Sequence, residues 1–244
     1  MKTFFSLSPL LIMLLVAMSS SGCDQLNICE NGRGSTLEES LDMASFSGID
    51  LRTNANVYLI AGDSQSVSVQ AQENVFEALD FEVVDSVLVI DLNKCFYSYD
   101  MDVYLTLDQP LSSVEVSGSG DVFTLEKVDV ASLLSLEVSG SGEISLEADA
   151  DQIENRISGS GGMNLSGSAN SIETRLSSSG SLDGYSMTTQ DQKVMVTGSG
   201  KAKVHVEGGT LDVTISGSGT VYYRGTPGSV NTSVTGSGRL VDDN

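Results

Sequence analysis

The pattern Ser/Thr-Gly/Ser-Ser-Gly occurs seven times in the second half of the chain, at 117–120, 139–142, 158–161, 177–180, 197–200, 216–219 and 235–238. Its final glycines are separated by 22, 19, 19, 20, 19 and 19 residues. A period this short and regular restricts the chain to a solenoid, whose units pack only on their neighbours. The flanking residues say which kind. Val116, Val138, Ile157, Leu176, Val196, Ile215 and Val234 stand immediately before the motifs, and Val122, Ile144, Met163, Leu182, Ala202, Val221 and Leu240 stand two residues after each final glycine. The position before each aliphatic residue, Glu115, Glu137, Arg156, Arg175, Met195, Thr214 and Ser233, is mostly polar. Such alternation describes strands with one face inward and one outward. A further strand is marked upstream by Leu134, Ile153, Ile172, Leu211 and Val230.

The expected fold is therefore all-β, a single-stranded parallel β-helix with about seven C-terminal coils. At about 4.8 Å per coil, these coils form a column on the order of 30 Å tall. Each motif is read as a corner, with glycine supplying positive φ and, by its small size, letting corners pack at strand spacing without side-chain collision, and with the central serine bonding up and down the column. Residues 46–110 carry irregularly spaced strands, either degenerate first coils or a capping sheet. The one stretch read as a helical turn is TLEESLDMA, residues 36–44. The charges of the final LVDDN are expected to discourage further pairing at the far end.

The chain begins with Lys2 and the apolar run FFSLSPLLIMLLVAM, too short to span a bilayer, followed by SSSGC. This reads as a signal peptide, residues 1–22. The end of that segment resembles a bacterial lipobox, with Gly22 before Cys23 and Ser20 where leucine is usual. Cys23 is thus the expected lipidation site, and the membrane is a partner through the attached acyl chains. Residues 23–44 are read as the lipidated N-terminus and linker, and 45–244 as the β-helical domain. Cys29 and Cys95 remain, either a disulfide suited to an oxidising compartment or two free thiols. The expected location is the bacterial cell envelope, lipid-anchored on the outer membrane.

The segment FSGIDLRTNANVYLIAGDSQSVSVQA (46–71), the VSGSG, ISGSG and VTGSG repeats and the ending VYYRGTPGSVNTSVTGSG resemble the bacterial family called putative auto-transporter adhesin, head GIN domain. The resemblance covers roughly residues 45–240. It implies a β-helical fold, an envelope location and an adhesin-like role, and it brings no catalytic residues.

Chemistry is weighed against that background. The formal net charge of −21 opposes nucleic acid binding through a basic field. The glycines lack the third glycine and following helix of a dinucleotide cradle, so no cofactor is expected. After each motif stand Asp121, Glu143, Gly162, Ser181, Lys201, Thr220 and Arg239, a series that cannot form a repeated metal ladder. The motif serines are seven equivalents with no special base, and the only histidine, His205, falls on an outward strand face. No catalytic residue is assigned. A polysaccharide-active β-helix enzyme is the weaker alternative, and Asp149 and Asp151 read more simply as a turn.

Counting outward positions across coils gathers Lys201, Lys203, His205, Tyr222, Arg224 and Arg239 into a basic-aromatic patch. Asp121, Phe123, Glu143, Ser145 and Glu147 occupy the same face in earlier coils. The patch is the candidate site for a glycan or protein ligand, acidic in character, with Tyr185 and Tyr222 as stacking surfaces for sugar rings. A structural or assembly lipoprotein without a specific ligand is the competing class. The oligomeric state is left open.

Overall fold

The computed structural model describes residues 29–244. The signal peptide and Cys23 therefore lie outside the described residues. The first part of the chain contains β1 (Glu30–Asn31), β2 (Thr36–Leu41), β3 (Gly48–Leu51), β4 (Asn56–Ala61), β5 (Ser66–Gln72), the helical turn α1 (Glu73–Phe76), β6 (Leu79–Val84), β7 (Val87–Leu92), β8 (Phe96–Ser98) and β9 (Met101–Leu107). The repeat region follows with β10 (Leu111–Val116), β11 (Asp121–Thr124), β12 (Val130–Val138), β13 (Glu143–Ile157), β14 (Gly162–Leu176) and β15 (Ser181–Gly198). It ends with β16 (Lys201–Val206), β17 (Thr210–Gly217), β18 (Thr220–Arg224), β19 (Ser229–Gly236) and β20 (Arg239–Asp242).

The 19-residue period places each residue over its equivalent in the next coil. Ile144 pairs with Met163 and Met163 with Leu182, while Val138, Ile157, Leu176, Val196 and Ile215 form a second inward ladder. All of these side chains are buried. The core is a continuous apolar column along the solenoid axis, as the parallel β-helix reading expects. A polar rung interrupts it: the Asn155 amide donates to Thr174 Oγ1 at 3.2 Å, and Gln192 donates to the same oxygen at 3.4 Å.

The irregular first part is partly coil and partly cap. β3 pairs in parallel with β10 on one side and β7 on the other, and β4 pairs likewise with β11 and β9. Among the described residues, two coils therefore precede the seven motif-bearing ones, out of chain order: β7 with β9 lies outermost and β3 with β4 beneath it. Antiparallel β6 on β7, and β5 on β9 followed by β2, close that end. Residues 36–41 are thus an edge strand, contrary to the helical expectation. Leu37 and Leu41 are compatible with a helical face as well, but the free backbone edge of β5 supplies a ladder of partners that an isolated helical turn lacks. Among the described residues, the one α-helical turn occurs instead at Glu73–Phe76. Cys29 and Cys95 form a disulfide, with Cα atoms 4.5 Å apart, beside the short β1–β8 pairing.

Of the two reasons expected for glycine at the corners, close packing holds along the column and positive φ in part of it. Positive φ occurs at the first glycine only in the last three motifs, Gly198, Gly217 and Gly236. In the earlier motifs the requirement is proximity. A Cβ on Gly140 would overlap the carbonyl oxygen of Gly118, one on Gly159 that of Gly140, and one on Gly161 that of Gly142. Backbone packs on backbone with no room for a side chain. The central serines point to solvent, and it is their backbone N–H that bonds along the column, as from Ser160 to the Gly140 carbonyl at 3.1 Å. A serine hydroxyl takes that role at Ser178, which replaces glycine and donates to the Gly159 carbonyl oxygen.

Candidate functional site

Strand alternation and coil register together assemble one outward face along the column. At the third place after each corner the in-register series is Tyr104, Tyr58, Phe123, Ser145, Asn164, Asp183, Lys203, Tyr222 and Val241. Its two ends differ from its middle.

At the N-terminal end, Tyr58 stacks on Tyr104 with ring centroids 5.1 Å apart, and Phe123 stacks on the other side of Tyr58 at 5.7 Å. Such stacking adds to the area these rings bury. Partial burial, with Asp102 nearby, raises the pKa of Tyr58 above its ordinary value. The stack stops at Phe123 because the next coil offers Ser145. Beyond it lies a shallow open depression lined by Thr124, Ser145, Glu147, Asn164, Ser166, Asp183 and Ser186. Asn164 is held there by donating to Glu143 at 2.7 Å, and Ser145 donates to the same carboxylate at 3.0 Å.

At the C-terminal end the structure brings Tyr185, Lys203 and Arg224 together. The guanidinium carbon of Arg224 lies 4.1 Å from the Tyr185 ring centroid and Lys203 Nζ lies 5.2 Å from it. Lys203 pairs with Asp183 at 2.6 Å and Arg224 with Asp243 at 3.2 Å. The Tyr185 hydroxyl donates to Asp243 at 2.7 Å. Burial first, then this hydrogen bond, pushes the Tyr185 phenol well above its ordinary value, while the same bond and Arg224 hold Asp243 below the usual carboxylate range. His205 contacts Glu207 at 3.1 Å, and Lys201 stands 5.9 Å from the Tyr222 ring centroid. Arg239 sits one coil further, opposite Thr220.

The predicted patch thus exists as a neighbourhood, but its chemistry is altered. Two of its cationic groups, Lys203 and Arg224, pair with carboxylates of their own chain, His205 contacts Glu207, and the Tyr185 ring is already covered by Arg224. It is a stiff, nearly neutral wall beside the depression. Asp243 was not singled out by sequence reasoning, yet it occupies the fifth place after the last motif, the same count that selects His205 and Arg224. The Tyr58–Tyr104 rung was missed because it becomes visible only once β4 and β9 are recognised as coils.

Asp149 accepts from Ser168 at 2.7 Å and also pairs with Lys127, and Asp151 accepts from Asn170 at 2.6 Å. These carboxylates are acceptors between neighbouring coils. Among the described residues, no group of three or more His, Cys, Asp or Glu side chains is placed to hold a metal ion, and no helix is long and apolar enough to cross a membrane.

Among curated proteins none matches the chain. A putative adhesin from Parabacteroides distasonis is 24% identical, with a TM-score of 0.70 over 87% of this chain and 99% of its own. A putative adhesin from Bacteroides fragilis is 17% identical, with a TM-score of 0.73 over 86% of this chain and 98% of its own. A protein from Parabacteroides distasonis described as a putative lipid binding protein is 23% identical, with a TM-score of 0.64 over 86% and 97% of the two chains. At these identities the likeness concerns the fold, and the differing descriptions of the neighbours do not fix a ligand. The family described as putative auto-transporter adhesin, head GIN domain, matches residues 45–227, and the chain belongs to that family.

Proposed function

We propose that the protein is a lipid-anchored envelope adhesin without enzymatic activity, which binds a glycan or protein ligand along the outward face running from Phe123 to Tyr222. The observation that carries this reading is the in-register change along one ladder, from stacked rings through a small polar depression to an ion-paired aromatic wall. A rigid solenoid presents such groups at fixed spacing, so a ligand meets them without ordering a loop. The carboxylates Asp183 and Asp243 favour a ligand that is polar rather than strongly anionic. Anchoring follows from Cys23, whose acyl chains hold the column on the membrane.

The test is binding of the mature chain carrying Cys23→Ser to cell surfaces and immobilised glycans. Saturable binding that falls at least tenfold in Phe123→Ala with Asn164→Ala, and also falls when Lys201, Lys203 and Arg224 are replaced by serine, supports the face. Binding unchanged in both variants, with unfolding midpoints preserved, removes the face from the account. Absence of any saturable ligand favours a spacer.

A further inference from the structure

The last coil ends the described column with an open edge. β19 pairs with β17 on one side, and among the described residues no strand lies over its other side. All eight of its residues are exposed, including Val230 and Val234, whose equivalents one coil earlier, Leu211 and Ile215, are fully buried. The stretch Ser229–Gly236, SVNTSVTG, contains no charge and no proline. Those are the usual means by which a sheet edge avoids pairing. The other end of the column has them: β2 carries Glu38 and Glu39, and β6 carries Asp80 and Glu82. In the last coil the charges stand on β20, at Arg239 and Asp242, and leave β19 as the part of the edge without them, which points to a partner for β19.

We infer that the partner is a second copy of this chain, joined end to end through β19 about a two-fold axis at Thr232. Three observations select that occupant. First, residues 229–235 read nearly the same in both directions about Thr232: Val230 answers Val234, Asn231 answers Ser233, and Ser229 answers Thr235. Antiparallel pairing across a two-fold axis sets each residue against its answering residue, so the valines of both copies meet on the inner face and the two cores become one. Second, charge permits it here. From Thr210 to Asn244 two arginines stand against three aspartates, whereas the whole chain carries −21. Third, the acidic, antiparallel cap offers β19 no matching surface, which disfavours head-to-tail stacking into filaments. An isologous contact uses the same surface on both copies and closes after two.

The inference rests on the adhesin reading and gives it a homophilic form. End-to-end pairing places the two N-terminal caps at opposite ends of the joined column. Chains displayed from their N-termini on facing surfaces would bridge those surfaces through their C-terminal coils.

The experiment measures the mass of the mature chain carrying Cys23→Ser by sedimentation over a wide concentration series, and the clustering of beads coated through its N-terminus. The wild type is expected to form a two-copy species and to cluster beads. Thr232 shares the inner face with Val230 and Val234, so Thr232→Lys and Thr232→Glu each bury like charges against each other at the axis, and each should weaken association at least tenfold. Mixing the two restores it, since lysine then faces glutamate. Thr214→Lys, exposed one coil inward, serves as the control and retains pairing. A monomer at every concentration, as would follow if another segment of the chain covered the edge, overturns the inference. So does association that survives Thr232→Lys, and beads that stay dispersed overturn the bridging role. Binding of other ligands through the Phe123–Tyr222 face is measured separately and does not depend on Thr232.

Discussion

The corner at 52–55, second along the column, and the seven motif corners that follow it have the same place in the coil but different residues. Register aligns Leu51 with Val116 and Asn56 with Asp121, so Arg52-Thr53-Asn54-Ala55 occupies the corner that elsewhere reads Ser-Gly-Ser-Gly. Thr53 stands where Gly118 stands and Ala55 where Gly120 stands, and both are buried. A Cβ on Gly118 would overlap the Thr53 carbonyl oxygen, and one on Gly120 that of Ala55. Thr53 and Ala55 themselves have no tight corner beneath them, because the outermost coil turns there through the wide segment 93–100. In the earlier corners glycine is demanded by stacking on a previous corner, and turning alone does not require it; in the last three, positive φ at Gly198, Gly217 and Gly236 adds a second reason.

That difference is open to direct attack. Gly161→Val places a branched side chain against the Gly142 carbonyl and the Val138 side chain, with no flexible neighbour to yield. The expected loss is about 4 kcal/mol or more, in the class of backbone clash and overpacking. Ala55→Gly, the converse change at the 52–55 corner, should cost only about 1 kcal/mol, through the lost methyl and the freer unfolded chain. Ser160→Ala should be nearly silent, since its hydroxyl faces solvent. Urea unfolding of the three variants ranks them, and equal losses at Gly161 and Ala55 would break the stacking explanation.

The same contrast governs what could be read from sequence. Inward ladders such as Val138, Ile157, Leu176 and Val196 were legible because a fixed period repeats the same burial requirement. For the coils at 46–61 and 87–107 the sequence leaves degenerate coil and capping sheet both open, since their corner lacks the glycine signature and the chain visits them out of order. On the candidate face, the positions of Lys203, Tyr222 and Arg224 were countable. Their pairing with Asp183 and Asp243 depends on side-chain reach across coils, which a period does not encode.

The N-terminal end carries a second constraint that the repeats lack, its disulfide. Cys29 and Cys95 are 66 residues apart in sequence, and closing a loop of that length restricts the unfolded chain by about 4 kcal/mol in the chain-entropy description. Replacing both by serine should lower the unfolding midpoint by a corresponding amount, and loosen first the cap strands β1 and β8. Hydrogen exchange locates the effect: faster exchange confined to the cap while β14 and β15 stay protected is the expected pattern. Uniform loss along the column would mean that the cap and the regular coils unfold as one unit.

The smallest expected effect concerns outward charge. On the face opposite the core from Leu51 and Val116, register stacks Asp50, Glu115 and Glu137 as like charges, whereas the following coils place Arg156 within 3.7 Å of Glu137 and pair Arg175 with Glu173. Partial burial, then Asp50 and Glu137, raises the pKa of Glu115, and Arg52 only partly offsets them. The folded state therefore holds the Glu115 proton more tightly than the unfolded state does. Its contribution favours folding in acid and is lost as pH rises through the carboxylate range toward the raised value. Glu115→Gln removes that loss. The variant should match the wild type in acid and exceed it at neutral pH by no more than about 0.5 kcal/mol, because solvent screens so exposed a group. The corresponding change in the paired region, Glu173→Gln, should have the opposite sign at neutral pH, since it strips a partner from Arg175 and Lys193. Two variants shifting stability in the same direction would show that register alone does not decide which rungs the column tolerates as like charges.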